Sequence, residues 1–453
     1  MNILTIIIDS LRADHLSCYG YPRDTSPHLD ALAAQGALVE GMFVPGIPTH
    51  PAFATFYTGQ HPITHGVVAH GGHTPLAEDA PFFTRDLQAA GWYTGAVDNL
   101  HSTRPWYNRG YADYLDWTGQ TEGRVMANCE QVNRLALPWL RQHAAAPFFL
   151  MVHYWDTHTT YHPPARLRHR YYQADPTDPR HTSLQAMRQA PLGEIWADHW
   201  MASYSRKLFG GREIRDAEYV VALYDACIRW VDEAVGELLE TLEQTGTAED
   251  TLVLVMADHG EMHYDHGIFF DHHGLYDGNI RIPCLVRWPG RIPAGQRLSG
   301  VTQTTNLAPT LLAAAGLPPA PGMEGRSLLP ALIGEEALPA DEPVIAEECT
   351  WQAKWCLRQG GRKFIVARQP DLYQGPMREL YDLATDPDEL RNLADARPEV
   401  TAAMEAQLEA WIAARLRARG LSEDPLLAHG ITLGKAWAEE HASRGDLNGQ
   451  ARQ

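Results

Sequence analysis

Short apolar runs that stop abruptly at a carboxylate or an imidazole constrain this chain more than any other feature. Ile3–Ile8 stops at Asp9, Phe148–Val152 runs into His153, and Leu252–Val255 leads directly to Asp258-His259-Gly260-Glu261. With Tyr93–Val97 and Pro283–Arg287 these are five short, predominantly apolar segments, the pattern of strands buried on both faces. Between the third and fourth lies Ala217–Glu243. Its apolar residues Val221, Tyr224, Ile228, Val231, Val235, Leu238 and Leu242 step by three and four, the period of a helix packed along one face. Strands alternating with such helices predict an α/β fold: a large mixed, mostly parallel sheet sandwiched by helices. Ligands gather at the carboxyl ends of strands in open α/β sheets, so the polar residues that end these runs are expected to converge.

A chain of 453 residues exceeds one small core. The expected division is a large α/β domain over residues 1–340, a smaller C-terminal α+β subdomain over 341–420 and a polar tail over 421–453. The subdomain should contain antiparallel strands, with a hairpin over Trp355–Ala367 turning at Gly360-Gly361 and a turn at Asp386-Pro387. A helix over Pro398–Arg419, ended by Gly420, completes it. Periodicity fails over about residues 171–212, where Pro, Asp, His and Arg accumulate. This is either an irregular insertion that covers a site, with its aromatic residues walling an organic leaving group, or a plain surface loop.

The net charge of −19 argues against nucleic-acid and anionic-membrane partners. A small anionic substrate then needs a locally positive pocket, which a bound metal ion supplies most simply. Asp9 together with Asp258 and His259 suits a hard or borderline divalent cation, although either acid alone would equally serve as a helix N-cap. His263, His266, His272 and His273 place four imidazoles in eleven residues, as ligands, proton donors or oxyanion partners. Of these, His263 is expected to be the solvated bystander. Six cysteines without CxxC spacing read as buried thiols rather than a zinc cluster or disulfide framework. The N-terminal apolar run is too short for a leader or a membrane span, so a cytoplasmic location is expected. A homo-oligomer is compatible with all of this.

The opening from Asn2 through Asp9-Ser10-Leu11-Arg12-Ala13-Asp14-His15 to Tyr19-Gly20 resembles the start of bacterial sulfatases in the alkaline phosphatase/sulfatase superfamily. Further matches are Thr25-Ser26-Pro27-His28-Leu29-Asp30, Thr58-Gly59, Asp258-His259-Gly260-Glu261, Ile280-Arg281-Ile282-Pro283, Ala308-Pro309-Thr310-Leu311-Leu312 and Glu379-Leu380-Tyr381-Asp382-Leu383. The resemblance implies a metal bound by Asp9, Asp258 and His259, with the nucleophile as a further ligand. Counting back from Thr58-Gly59 puts Thr49-His50-Pro51-Ala52-Phe53 on the Cys-x-Pro-Ser-Arg motif, so Thr49 stands where the formylglycine-forming cysteine would be. A threonine cannot become formylglycine, as in the phosphodiesterase and phosphoglycerol-transferase branches.

Other departures point the same way. The usual Asp-Asp pair is Asp9-Ser10, which makes manganese, zinc or magnesium better suited than calcium. The motif arginine is Phe53, and the sulfate-gripping Lys-His pair is His272-His273. By this resemblance His158 and His273 hold substrate oxygens and one of them protonates the leaving group, with His272 a further catalytic candidate. A second ion would use Asp156 with two of His162, His266, His272 and His273, and Arg12 and Arg104 are candidates for substrate contact. The expected activity is metal-dependent hydrolysis of phosphate or phosphonate esters through a covalent Thr49 intermediate. The alternatives are a sulfatase working without formylglycine and an inactive metal-binding homologue.

Overall fold

The computed structural model describes residues 1–71, 75–117, 126–191, 193, 197 and 201–431. Its main sheet has eight strands in the order Gln296–Leu298, Ala37–Val39, Cys284–Arg287, Thr251–Met256, Asn2–Ile8, Phe148–Tyr154, Tyr93–Val97 and Asp113–Leu115. Cys284–Arg287 runs antiparallel to both neighbours, while the other pairings are parallel. All five expected strands are present. Three more, Ala37–Val39, Asp113–Leu115 and Gln296–Leu298, hold three residues each, too few to display a period.

The central strands are buried along their whole length, with Ala217–Gln244, Cys129–His143 and Pro27–Gln35 packed together on the sheet. Asp216 caps the long helix by accepting from the Glu218 backbone N–H. Register then builds the site. Ile7 pairs with Met256, so two residues further on Asp9 falls opposite Asp258. Val97 pairs with Val152, which sets Asp98 beside His153.

A second sheet has the order Arg378–Asp382, Arg362–Ala367, Lys354–Gln359, Val344–Glu348 and Gly46–Ile47. Four of its strands form an antiparallel meander, and the fifth, Gly46–Ile47, adds parallel to Val344–Glu348 from just before Thr49. The helix Pro398–Arg419 lays Thr401, Met404, Leu408 and Ile412 on this subdomain and ends at Gly420, whose φ of 66° a glycine adopts without steric penalty. Residues 421–431 differ from the polar tail expected. Leu426 is buried, and Asp424 accepts from Trp355 Nε1 at 2.9 Å and Arg368 Nε at 2.8 Å. The rest of that tail, 432–453, lies outside the described residues.

The insertion is less irregular than its sequence implies. It carries helices Gln185–Gln189 and Ala202–Phe209, and Tyr204 donates to the Tyr161 carbonyl. All six cysteines are free thiols, five of them buried and Cys18 half-buried. No described helix is long and apolar enough to cross a membrane.

Candidate active site

Asp9 and Asp258 leave adjacent strands and are buried together at the carboxyl end of the sheet. Ser10 adopts φ 55°, uncommon for a residue with a Cβ, and its hydroxyl donates to Asp9 Oδ1 at 2.8 Å. Asp258 Oδ1 accepts from the backbone N–H of Ser10 at 3.2 Å and of His259 at 2.9 Å. Each carboxylate is thus anchored through Oδ1. The two Oδ2 atoms are buried and have no hydrogen-bond partner.

His259 Nδ1 faces the Gly260 carbonyl at 2.8 Å, which requires the proton there and leaves Nε2 a free lone pair. That Nε2 lies 3.3 Å from Asp258 Oδ2 and 3.4 Å from Thr49 Oγ1. Ligand atoms of Asp9, Asp258 and His259 all lie within 4.8 Å of one another. Two carboxylates with orphaned oxygens and an imidazole held in the ligating tautomer therefore converge, with the Thr49 hydroxyl beside that imidazole, a donor set that fits a divalent cation.

The electrostatics agree. Burial and the neighbouring Asp9 charge push the Asp258 carboxyl up to about 6, even with His259 alongside. Burial also pushes Asp9 up, but His158, His153 and His259 outweigh it and hold its carboxyl below the usual range. Facing carboxylates of this kind cannot both stay charged cheaply without a cation.

Thr49 opens the helix Thr49–Thr58, every residue of which is buried. Its hydroxyl therefore sits at a helix N-terminus, where the aligned backbone dipoles favour negative charge on oxygen. Phe53, one turn on, packs its ring 4.9 Å from that of His153.

The other imidazoles cluster beside this centre. The His272 ring stacks on His259 at 5.1 Å and lies 4.7 Å from His158 and 4.8 Å from His273. Burial and the surrounding His158 and His273 push His272 well below its usual value, so it is neutral at pH 7. Burial pulls His273 down as well, but Asp271 and Glu348 outweigh it and raise it. Glu348 Oε1 lies 2.8 Å from His273 Nδ1 and its Oε2 accepts from the Gly274 backbone N–H at 2.8 Å. Neighbouring histidines are thereby pushed in opposite directions, the arrangement that assigns acid and base roles.

Several expected residues fall elsewhere. His266 stacks on Tyr276 at 3.6 Å, while His162 and Asp156 line a cleft of about 860 Å³ with Trp155, His158, Lys207 and Trp230. Asp156, His162 and His266 do not assemble into a second ion site. Among the described residues the only other metal-competent group is Asp271, His272 and His273. His263 is no bystander either: it is buried, 4.7 Å from His15 and 4.8 Å from Tyr224. Arg12 is bonded to Asp14 and the Glu261 carbonyl, and Arg104 to the Thr103 and His70 carbonyls.

Sequence reasoning missed Asp98, Asp271 and Glu348, and also His70, whose ring stacks on His50 at 4.2 Å. Asp98 and Asp271 follow or interrupt apolar runs and were legible in principle. Glu348 carries no local signal, because it enters from the C-terminal sheet.

Comparison with solved structures gives the same architecture. The phosphonate monoester hydrolase of Agrobacterium radiobacter superposes with a TM-score of 0.72 at 22% identity, covering 92% of this chain and 96% of that one. A protein solved in complex with D-glucosamine-2-N,6-O-disulfate superposes equally well, at 0.72 and 20% identity over 94% and 99%. In sequence, a choline-sulfatase of Rhizobium meliloti (strain 1021) is 27% identical over 445 residues, 87% of this chain and 82% of its own length. Bovine arylsulfatase K is 29% identical over 241 residues, 51% of this chain but only 43% of its own length. The sulfatase family model matches residues 1–317, well over half of the sequence and a span that includes the metal-competent cluster and Thr49, and the chain belongs to the sulfatase family.

Proposed function

We propose that this protein is a metal-dependent hydrolase of phosphate or phosphonate esters that uses Thr49 as its nucleophile. The observation that carries the reading is Thr49 Oγ1 at 3.4 Å from His259 Nε2, beside two buried carboxylate oxygens without partners. Asp9, Asp258 and His259 would hold the ion. When bound, it supplies a lowered hydroxyl pKa and neutralises charge on the ester oxygens.

The chain's own residues account for the remaining steps. The helix N-terminus favours the alkoxide of Thr49, which attacks phosphorus and expels the alcohol. His273, whose pKa Asp271 and Glu348 raise, is the donor that protonates the departing oxygen, and His158 and His272 hold the non-bridging oxygens. Water then attacks the phosphothreonine, because a single hydroxyl cannot expel the group as a geminal diol would. The same geometry is the reason for preferring phosphorus to sulfur. The phosphonate monoester hydrolase likeness supports that choice, and the choline-sulfatase likeness favours a sulfuric ester as the second reading.

Turnover of nitrophenyl phosphodiester, phosphonate, phosphomonoester and sulfate substrates with added Mn, Zn or Mg ranks these readings. The diester or phosphonate should lead. Thr49→Ala should lower kcat/KM by about 10³-fold or more on the best substrate. Dominant sulfate turnover, or Thr49→Ala activity equal to wild type, overturns the assignment.

A further inference from the structure

Asp9 is the least supported ligand of the proposed centre, since its only side-chain hydrogen bond comes from the adjacent Ser10. Its free Oδ2 faces His153 Nε2 at 3.4 Å, an ion-pair distance, and neither atom has a hydrogen-bond partner. The other ring nitrogen, Nδ1, meets Asp98 Oδ1 at 2.9 Å. Asp98 is fixed in turn, its Oδ2 accepting from the Leu100 backbone N–H at 2.9 Å and from the Tyr114 hydroxyl. His153 is wholly buried, and so are both carboxylates flanking it.

The ring is wedged between two buried carboxylate oxygens, one at each nitrogen. His153 touches Asp9 but is not part of the group formed by Asp9, Asp258 and His259, whose ligand atoms all lie within 4.8 Å of one another. Phe53 occupies the motif position of an arginine and packs on this same ring.

We propose that His153, backed by Asp98, is a positioning residue that orients Asp9 Oδ2 for the ion. The inference rests on the metal reading given above. A carboxylate held only through its Oδ1 is free to turn about that bond, and a ring fixed by Asp98 and packed 3.4 Å from Oδ2 limits the rotation. Outer partners of this kind typically change metal affinity by about 10–100-fold.

The test is the Kd for Zn(II) and Mn(II), measured by competition with a chromophoric chelator on full-length protein. Circular dichroism of the metal-free variants checks their folding. His153→Leu should weaken binding about 10–100-fold, and Asp98→Asn should weaken it in the same direction. His153→Gln, whose amide N–H can still reach Asp9, should recover most of the loss and leave the Co(II) absorption spectrum of wild type unchanged. Asp98→Asn keeps the test decisive if the leucine variant fails to fold. Equal affinities in wild type and Asp98→Asn overturn the inference alone. A changed Co(II) spectrum in His153→Gln makes His153 a direct ligand and overturns it too. Wild type that binds none of these ions overturns the metal reading and this inference together.

Discussion

Lys363 offers a quantitative test of how the C-terminal sheet is joined to the catalytic loops. Its ammonium is fully buried, 2.5 Å from Asp277 Oδ1 and 2.7 Å from Glu389 Oε1, and donates to the Leu275 carbonyl at 3.1 Å. Replacement by Met keeps the apolar stem and removes the charge. Asp277 retains Arg358 at 3.5 Å, so Glu389 is the acid left without a cation. Breaking a buried pair in this way costs about 3–5 kcal/mol. Burial already pushes Glu389 up to about 7 despite Lys363, so the cost must depend on pH.

A folded carboxyl above its unfolded value gives stability that is complete below about pH 4.5 and is lost as pH rises through the folded value. Removing Lys363 raises the folded value further and extends that loss above pH 7, at up to about 1.4 kcal/mol per pH unit for one proton. Urea unfolding of wild type and Lys363→Met should therefore differ most near pH 8 and least near pH 5.5. A deficit under about 1 kcal/mol at pH 8, or one equal at both pH values, refutes the reasoning.

Two further outcomes are expected. Glu348→Gln removes one of the charges that raise His273, so the alkaline limb of the kcat/KM profile should move to lower pH, with activity on that limb falling roughly 10-fold for each pH unit it moves; an unmoved limb excludes His273 as the acid. A Cβ at Gly260 would meet the Gly278 carbonyl oxygen at 2.1 Å, backbone against backbone, so Gly260→Ala should cost roughly 1–3 kcal/mol and weaken metal binding through the adjacent His259. Calorimetric unfolding checks the first effect and chelator competition the second.

The central strands were legible because burial on both faces leaves runs with no polar interruption, and the carboxyl-end rule then pointed to Asp9, Asp258 and His259. Ala217–Gln244 was legible because its period persists over 28 residues. Edge strands such as Gln296–Leu298 were not, since one half-exposed stretch of three residues carries no pattern. His263 misled because histidines in a glycine-containing loop suggest solvent, whereas its ring fills a slot between His15 and Tyr224. Burial of that sort follows from tertiary contact between opposite parts of the catalytic domain's sequence and leaves no local mark. Asp156 shares a cleft with His162, yet among the described residues it belongs to no metal-competent group, and its chain position alone could not show that.

The strand Gly46–Ile47 ends two residues before Thr49 and completes the edge of a sheet made otherwise from residues 344–382. The same sheet delivers Glu348 to His273 from Val344–Glu348, the strand that pairs with Gly46–Ile47. Cutting the polypeptide near residue 340 would accordingly do more than discard an accessory: it would bare the ladder that holds Gly46–Ile47 just ahead of Thr49 and take Glu348 away from His273. Such a chain offers no seam for exchanging its last quarter with that of a cousin, and chimaeras divided there should be inert even where both halves are individually well suited to their substrates.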